Sequence, residues 1–392
     1  MSPAASFGTT DAKLLDGVLV LDMSQFLSGP FSALRLSDLG ARVIKIERPD
    51  GGDLCRRLYL SDTEIGGDST LFHAINRGKE SFAADFKNPA DVEAVRRLIA
   101  QADVIIQNFR PGVIERLGLD FPSAAAINPG IVYASITGYG DEGPWKLRPG
   151  QDLLAQARSG VMWLNGDDDQ GPVPFGLAIA DLLAGNAVVQ GILAALVRKG
   201  RTGIGAHVET SLLEALLDFQ FEVLTTHMND GGRLPVRSSF RNAHAYLSAP
   251  YGVYKTADSW LALAMTPLDR LSPLLGLPEI GGLPPEAAFT DRDGIKRIIA
   301  ERLATRPIAH WLAILEPADI WCAEVLNWPT LYESDGFKLL DMLQTVKRED
   351  GVSIRTTSSP IRVDGMRRHM AVAAPRIGEH NARLRQEFAL DG

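Results

Sequence analysis

The stretch GVLVLDMSQFLSGPFSALRLSDLGARVIKIERP, residues 17–49, decides the fold. GVLVLDMS is a continuous apolar run of the kind that forms a strand buried on both faces. GPFSALRLSDLGA follows with apolar residues at helical spacing and Gly40 near its end, and RVIKIERP is a second strand closed by Pro49. The rhythm continues outward. SFAADF leads to NPADVEAVRRLIAQA, where Asn88 is placed to cap a helix and Pro89 suits its first position. DVIIQNF and GIVYASITGYG complete the set. Strands separated by helices in this order predict an α/β fold with a mostly parallel sheet covered on both faces.

The chain has 392 residues, enough for two or three domains at roughly 150 residues each. A hydrophobic fraction of 45% and a charged fraction of 22% suit a soluble globular protein with a full core. The formal net charge of −8 argues against general nucleic-acid binding. Two cysteines, Cys55 and Cys322, give neither a disulfide framework nor zinc spacing, and the seven histidines are scattered, so no metal centre is expected. MSPAASFGTTDAKLLDG lacks the basic-then-apolar order of a signal peptide, and a cytoplasmic, reducing location is expected. PFGLAIADLLAGNAVVQGILAALVRKG (174–200) is the sole candidate membrane span. Asp181, Asn186 and Gln190 within it favour a buried helix, so no membrane association is expected.

Composition shifts near residue 227. HMNDGGRLPVRSSFRNAH reads as a linker or exposed loop, APYGVYKTADSWLALAM as two strands around a turn at Thr256–Ser259, and 291–304 and 307–315 as helices. WPTLYESDGF (328–337) reads as a second linker, and LLDMLQTVKREDGVSIRTTSSPIRV as a hairpin turning at Asp350–Gly351. The expected organisation is a large α/β domain over 1–226, a smaller α+β domain over 227–330, and a C-terminal segment over 331–392.

Alternating strands and helices invite a dinucleotide site. The first βα turn, MSQFLSGP, carries a single glycine, and GIGAHV (203–208) lacks the third, so a nicotinamide or flavin dehydrogenase is disfavoured. Neither a phosphate-binding P-loop nor a G-x-S-x-G elbow occurs. An ionised carboxylate among aliphatic residues needs a reason, because desolvating it is costly. Asp181 has three readings: an N-cap for a helix starting at Leu182, a buried partner of an arginine, or a nucleophile or base at a helix N-terminus. Arg48, Arg77, Lys79, Arg110 and Arg116 fall at the carboxyl ends of predicted strands, where open α/β sheets bind ligands. They suit the phosphates of a nucleotide, or are ordinary solvated loop charges.

Eight segments in order carry a wider likeness: LDGVLVLDMSQFLSGPFSALRLSDLGARVIKIERPDGGD, NRGKESFAADFKNP, NFRPGVIERLGLDF, SITGYGDEGPWKLRPGQD, GLAIADLLAGNAVVQGILAAL, RTGIGAHVETSLLEALL, APYGVYKTADSW and PRIGEHNARL. Over nearly its whole length the chain resembles the class III coenzyme A transferases, typified by formyl-CoA transferase and carnitine CoA-transferase. The α-methylacyl-CoA racemases share that fold. The resemblance implies a Rossmann-like large domain built from both chain ends, a smaller α+β domain, and an interlocked homodimer. The site would lie between the large domain of one chain and the small domain of the other.

The resemblance also implies that Asp181 is the catalytic aspartate. It would attack an acyl-CoA thioester to give an acyl-aspartyl anhydride and then an aspartyl-CoA thioester. Coenzyme A enters as a substrate, with no permanently bound cofactor. Phe26, Leu27 and Arg48 would hold it, Lys79 would sit near the diphosphate, and Asn108, Phe109, Arg116 and Leu117 would line the nucleotide and pantetheine. Gln151 of GQD stands in the acyl pocket where the racemases place a histidine. Glutamine has no titratable proton, which disfavours two-base racemisation. Arg241, Asn242 and His244 of FRNAHAY are candidates for a partner subunit's acyl pocket, with a surface loop as the plainer reading. Cys322 reads as a structural thiol, and Glu324 replaces a family proline. The resulting expectation is CoA transfer from an acyl-CoA, succinyl-CoA being the suggested donor, to a small carboxylic acid. The alternatives are an α-methylacyl-CoA racemase and a CoA-binding protein without turnover.

Overall fold

Six parallel strands organise the larger part of the chain: β1 (Leu19–Asp22), β2 (Arg42–Glu47), β3 (Glu80–Ala83), β4 (Val104–Gln107), β5 (Val132–Thr137) and β6 (Ala206–Ser211). The computed structural model describes residues 13–391. The sheet order is β3-β2-β1-β4-β5-β6, the strand order of a Rossmann sheet. Register is continuous across its centre, Leu21 pairing with Ile44 on one side and Ile105 on the other.

All four residues of β1 are buried, as a sheet covered on both faces requires. On one face Leu19, Leu21, Ile44, Ile46, Ile105 and Tyr133 pack with Val95, Leu98 and Ile99 of α2 (Pro89–Gln101). Asn88 caps α2 by accepting the Ala90 amide, with Pro89 in the first turn. The other face carries α1 (Ser28–Asp38) and α4 (Ile179–Thr202). A methyl on Gly185 would lie 2.9 Å from the Ser28 carbonyl oxygen, so the two helices touch backbone to backbone there. The Ser32 hydroxyl bridges the carbonyls of Ser28 and Gly185. Among the described residues α4 is the one helix long and apolar enough to cross a membrane, and its buried residues pack on α1, β5 and β6.

The chain divides into two units, 1–155 with 178–216 and 338–392, and 156–177 with 217–337. The smaller holds an antiparallel sheet of β7 (Gly252–Lys255), β8 (Trp260–Leu263) and β9 (Cys322–Glu324). Tyr254, Leu261 and Leu263 share a core with α5 (Arg292–Leu303) and α6 (Ile308–Leu315). Residues 156–177 were expected with the large domain. They belong to this unit because the buried Arg237 donates to the carbonyls of Asn165, Gln170 and Gly171. Those bonds also tie down the polar stretch after residue 227, so it is no free linker. The expected linker at 328–337 is helical instead, Trp328–Glu333 then Asp335–Leu340, because Asn327 and Thr330 form a reciprocal capping box. Lys338 onward belongs with the larger unit, where β10 (Leu343–Lys347) and β11 (Ser353–Thr357) pair around Gly351.

Candidate active site

Strand order reverses between β1 and β4, so the loops leaving their carboxyl ends diverge and open a crevice. A reciprocal amide pair spans it: the Gln25 amide donates to Asn108 Oδ1 at 2.8 Å, and Asn108 Nδ2 donates to the Gln25 carbonyl at 2.7 Å. Phe26 follows at φ +64°, its side chain 48% exposed, and Leu27 precedes the first residue of α1. Arg48, exposed beyond β2, lines one small cleft with Met23, Gln25, Phe86 and Phe109. Arg116 and Leu117 lie on the short turn that follows β4, Arg116 exposed and Leu117 packed in the same cluster as Phe109. The carboxyl ends of β1, β2 and β4 therefore gather Phe26, Leu27, Arg48, Asn108 and Phe109.

Lys79 does not join them. It is 2% exposed, and its ammonium donates to Asp22 Oδ2, the Pro30 carbonyl and Asn76 Oδ1, each at 2.8 Å. An ammonium has three donors, and all three are used inside the protein, so the expected diphosphate contact is replaced by a structural one. Arg77 is likewise turned inward onto Asp38.

Asp181 sits at the third position of α4, not at the cap, because the helix begins at Ile179. The capping is done from elsewhere. Asp152 Oδ2 accepts the amides of Ala180 at 2.7 Å and Asp181 at 3.2 Å. The groups that act on the Asp181 carboxyl are Asp152 and Ser28, rather than an arginine. Burial, then the charge of Asp152, pushes it up to about 6, and the influence of Ser28 partly offsets the rise. Ser28 is the first residue of α1, so the carboxyl lies against the N-terminal ends of two helices. The helix dipoles there favour negative charge, in an aspartate or in an oxyanion beside it.

The delivery of Asp152 depends on a backbone crossing. Gly138, just past β5, and Gly150 run so close that a Cβ on Gly138 would sit 2.5 Å from the Gly150 Cα. The loop between them thus returns to the strand end and starts α3 (Asp152–Ser159) beside α4. The Gln151 carbonyl accepts the amides of Leu154 and Ala155, and its side chain is exposed.

In the smaller unit the Arg241 guanidinium stacks on Trp260 at 4.8 Å, Asn242 bonds Asp167 and Ser238, and His244 Nδ1 accepts the Tyr246 amide. Burial pushes the Cys322 thiol up, away from reactivity, and Glu324 accepts from the Ser259 hydroxyl. Sequence reasoning quoted Asp152 and Ser28 but assigned them nothing. The signal for Asp152 is its place two residues after Gly150, the glycine that makes the crossing.

Residues 15–381 match the sequence profile of CoA-transferase family III. The chain belongs to that family. An acetyl-CoA:oxalate CoA-transferase of Acetobacter aceti is 33% identical, over 97% of this chain and 98% of its own. A succinate–glutarate CoA-transferase of Agrobacterium fabrum is also 33% identical, over 95% of each chain. A CaiB/BaiF family protein from Brucella suis superposes with a TM-score of 0.82 at 32% identity, covering 95% of this chain and 99% of that one. The family III assignment makes the protein an acyl-CoA:carboxylate CoA-transferase, an enzyme whose substrates are CoA thioesters and carboxylic acids.

Proposed function

We propose that the enzyme transfers CoA through a covalent intermediate on Asp181. The observation that carries this is the placement of Asp181 in the first turn of α4, with Asp152 on its amide and the Ser28 end of α1 packed against the same helix. A carboxyl near 6 is mostly ionised at neutral pH and more basic than an exposed aspartate, which improves a weak nucleophile.

Asp181 attacks the acyl-CoA carbonyl and CoA thiolate departs, leaving an acyl-aspartyl anhydride. The thiolate then attacks the aspartyl carbonyl, which forms the aspartyl-CoA thioester and frees the donor acid. The acceptor carboxylate attacks that thioester and the thiolate departs again. Finally the thiolate attacks the acceptor's acyl carbonyl, giving the new acyl-CoA and free Asp181. Each tetrahedral oxyanion forms beside the α1 N-terminus, whose amides stabilise it. The anhydride must be kept from water.

In this reading Phe26, Leu27, Arg48, Asn108, Phe109, Arg116 and Leu117 hold CoA, and Gln151 borders the acyl group. The substrates are small acids, short dicarboxylates such as succinate among them, in keeping with the relatives' names. The active form is an interlocked homodimer. Gln151 offers no proton for two-base racemisation.

The test is peptide mass spectrometry after incubation with a panel of acyl-CoAs and quenching with hydroxylamine. A hydroxamate at Asp181, with transfer abolished and CoA binding retained in Asp181→Ala, is expected. Substantial turnover by Asp181→Ala would sink the mechanism.

A further inference from the structure

Phe26 is a bulky residue in the left-handed region, a conformation that persists only where its surroundings enforce it. The enforcing group is Asp53. Its Oδ1 accepts the Phe26 amide at 3.1 Å and the Cys55 amide at 2.9 Å, and its Oδ2 lies 2.8 Å from the Lys45 ammonium. Asp53 is 1% exposed, and its own amide is held by Glu47 Oε2 at 3.0 Å. Lys45 in turn donates to the Ser24 carbonyl at 3.0 Å and neighbours Asp22, the partner of Lys79. A buried array of alternating charge thus underlies the loop from both sides, with its outermost carboxylate on the Phe26 amide. Two residues beyond Phe26 is Ser28, the first residue of α1, whose carbonyl packs against Gly185 of the helix that carries Asp181.

We propose that Asp53 is a positioning residue of the transfer reaction: by holding the Phe26 amide it keeps Phe26 left-handed and so fixes the start of α1 against the helix that presents Asp181. This rests on the acylation of Asp181 proposed above. Without that bond Phe26 relaxes toward negative φ, which swings Leu27 and the first turn of α1 away from the carboxyl. Asp53 touches neither Asp181 nor, in this account, the reacting atoms, and its effect falls on the rate of acylation.

The experiment follows hydroxamate formation at Asp181 in single-turnover mixtures with saturating acyl-CoA, so that changes in CoA affinity drop out. Asp53→Ala is expected to slow acylation about tenfold or more, since small misplacements at a reacting centre have effects of that size. Asp53→Asn, which keeps an oxygen for the amide, restores most of the rate. In a Phe26→Gly background Asp53→Ala slows acylation less than about threefold, because glycine adopts the left-handed turn unaided. Equal slowing in both backgrounds would show a purely structural carboxylate and overturn the proposal. If Asp53→Ala does not fold, an ester in place of the residue 26 amide removes that one N–H and leaves the charge array intact. A roughly tenfold slower acylation is then expected, and an unchanged rate overturns the proposal. Native enzyme that forms no hydroxamate at all refutes the covalent reading and this proposal with it. Native enzyme that acylates normally beside an unaffected Asp53→Ala refutes this proposal alone.

Discussion

Asp152 binds the backbone amide of Asp181 with the same carboxylate oxygen that holds Ala180, and in doing so brings a second negative charge to the carboxyl proposed as nucleophile. One residue both secures the start of α4 and raises the basicity of Asp181.

The first consequence concerns pH. Attack requires the Asp181 carboxylate, which titrates at about 6 because of burial and then Asp152. The rate of acylation should fall as pH drops through that value. Asp152→Asn retains an oxygen for the two amides but removes the charge, so the acid limb should move to lower pH. The pH profile of kcat/KM measures this, and a limb that stays in place contradicts the assignment.

Stability carries the same signature. An aspartate titrates near ~3.9 in an unfolded chain, below the folded value for Asp181. The folded state therefore holds this proton more tightly. The resulting stabilisation is full below about pH 4 and is lost as pH rises through about 6. Asp181→Asn imitates the protonated form. It should raise stability at pH 7 by about 1 kcal/mol, a figure discounted for partial exposure, and change little at pH 4. Urea midpoints at the two pH values give the answer, and equal midpoint shifts at both would count against it.

Lys79 offers a test of burial against binding. Lys79→Met leaves Asp22 facing Lys45 without its 2.8 Å partner and should destabilise the fold by about 3–5 kcal/mol. CoA affinity of the folded protein should stay within about threefold, since none of the lysine's donors faces the crevice. Calorimetric titration and thermal unfolding separate the two effects. A large loss of affinity with unchanged stability would restore the phosphate role.

Gly138→Ala drives a methyl into the Gly150 backbone. The loop must move, taking Gln151 and Asp152 with it. A loss of about 1–3 kcal/mol is expected, with a fall in kcat larger than the rise in KM. Steady-state kinetics and unfolding midpoints check this, and an active, equally stable variant would show that the crossing does not position Asp152.

Local chemistry made much of the fold legible. The β1–α1–β2 rhythm, the Asn88 cap and the hairpin around Gly351 each depend on neighbours in sequence, and each is where the residues indicate. All but one of the failures are of long range. Asp152 reaches across 28 positions to Ala180, so Asp181 was freed from the capping role its own position suggested. Lys79 finds Asp22 across 57 positions, and no strand-end rule distinguishes a lysine turned inward from one turned out. Residues 156–177 are drawn from the larger unit by an arginine some 60 to 70 positions on. The exception is the Asn327–Thr330 capping box, a local pattern that outweighs the linker-like composition of 328–337.

The last element, α7 (Asn381–Glu387), covers the open edge of β3: Asn381 accepts the Ala83 amide and donates to its carbonyl, and the Ser81 amide donates to His380 Nδ1. During synthesis those partners emerge only after all six strands of the sheet. At roughly 5–20 residues per second, the segment from Lys338 onward takes on the order of several seconds to appear. Throughout that interval the nascent sheet presents an unpaired parallel edge to its surroundings. A ribosome-bound chain paused near residue 338 should therefore be the aggregation-prone species, and the one that a chaperone engages.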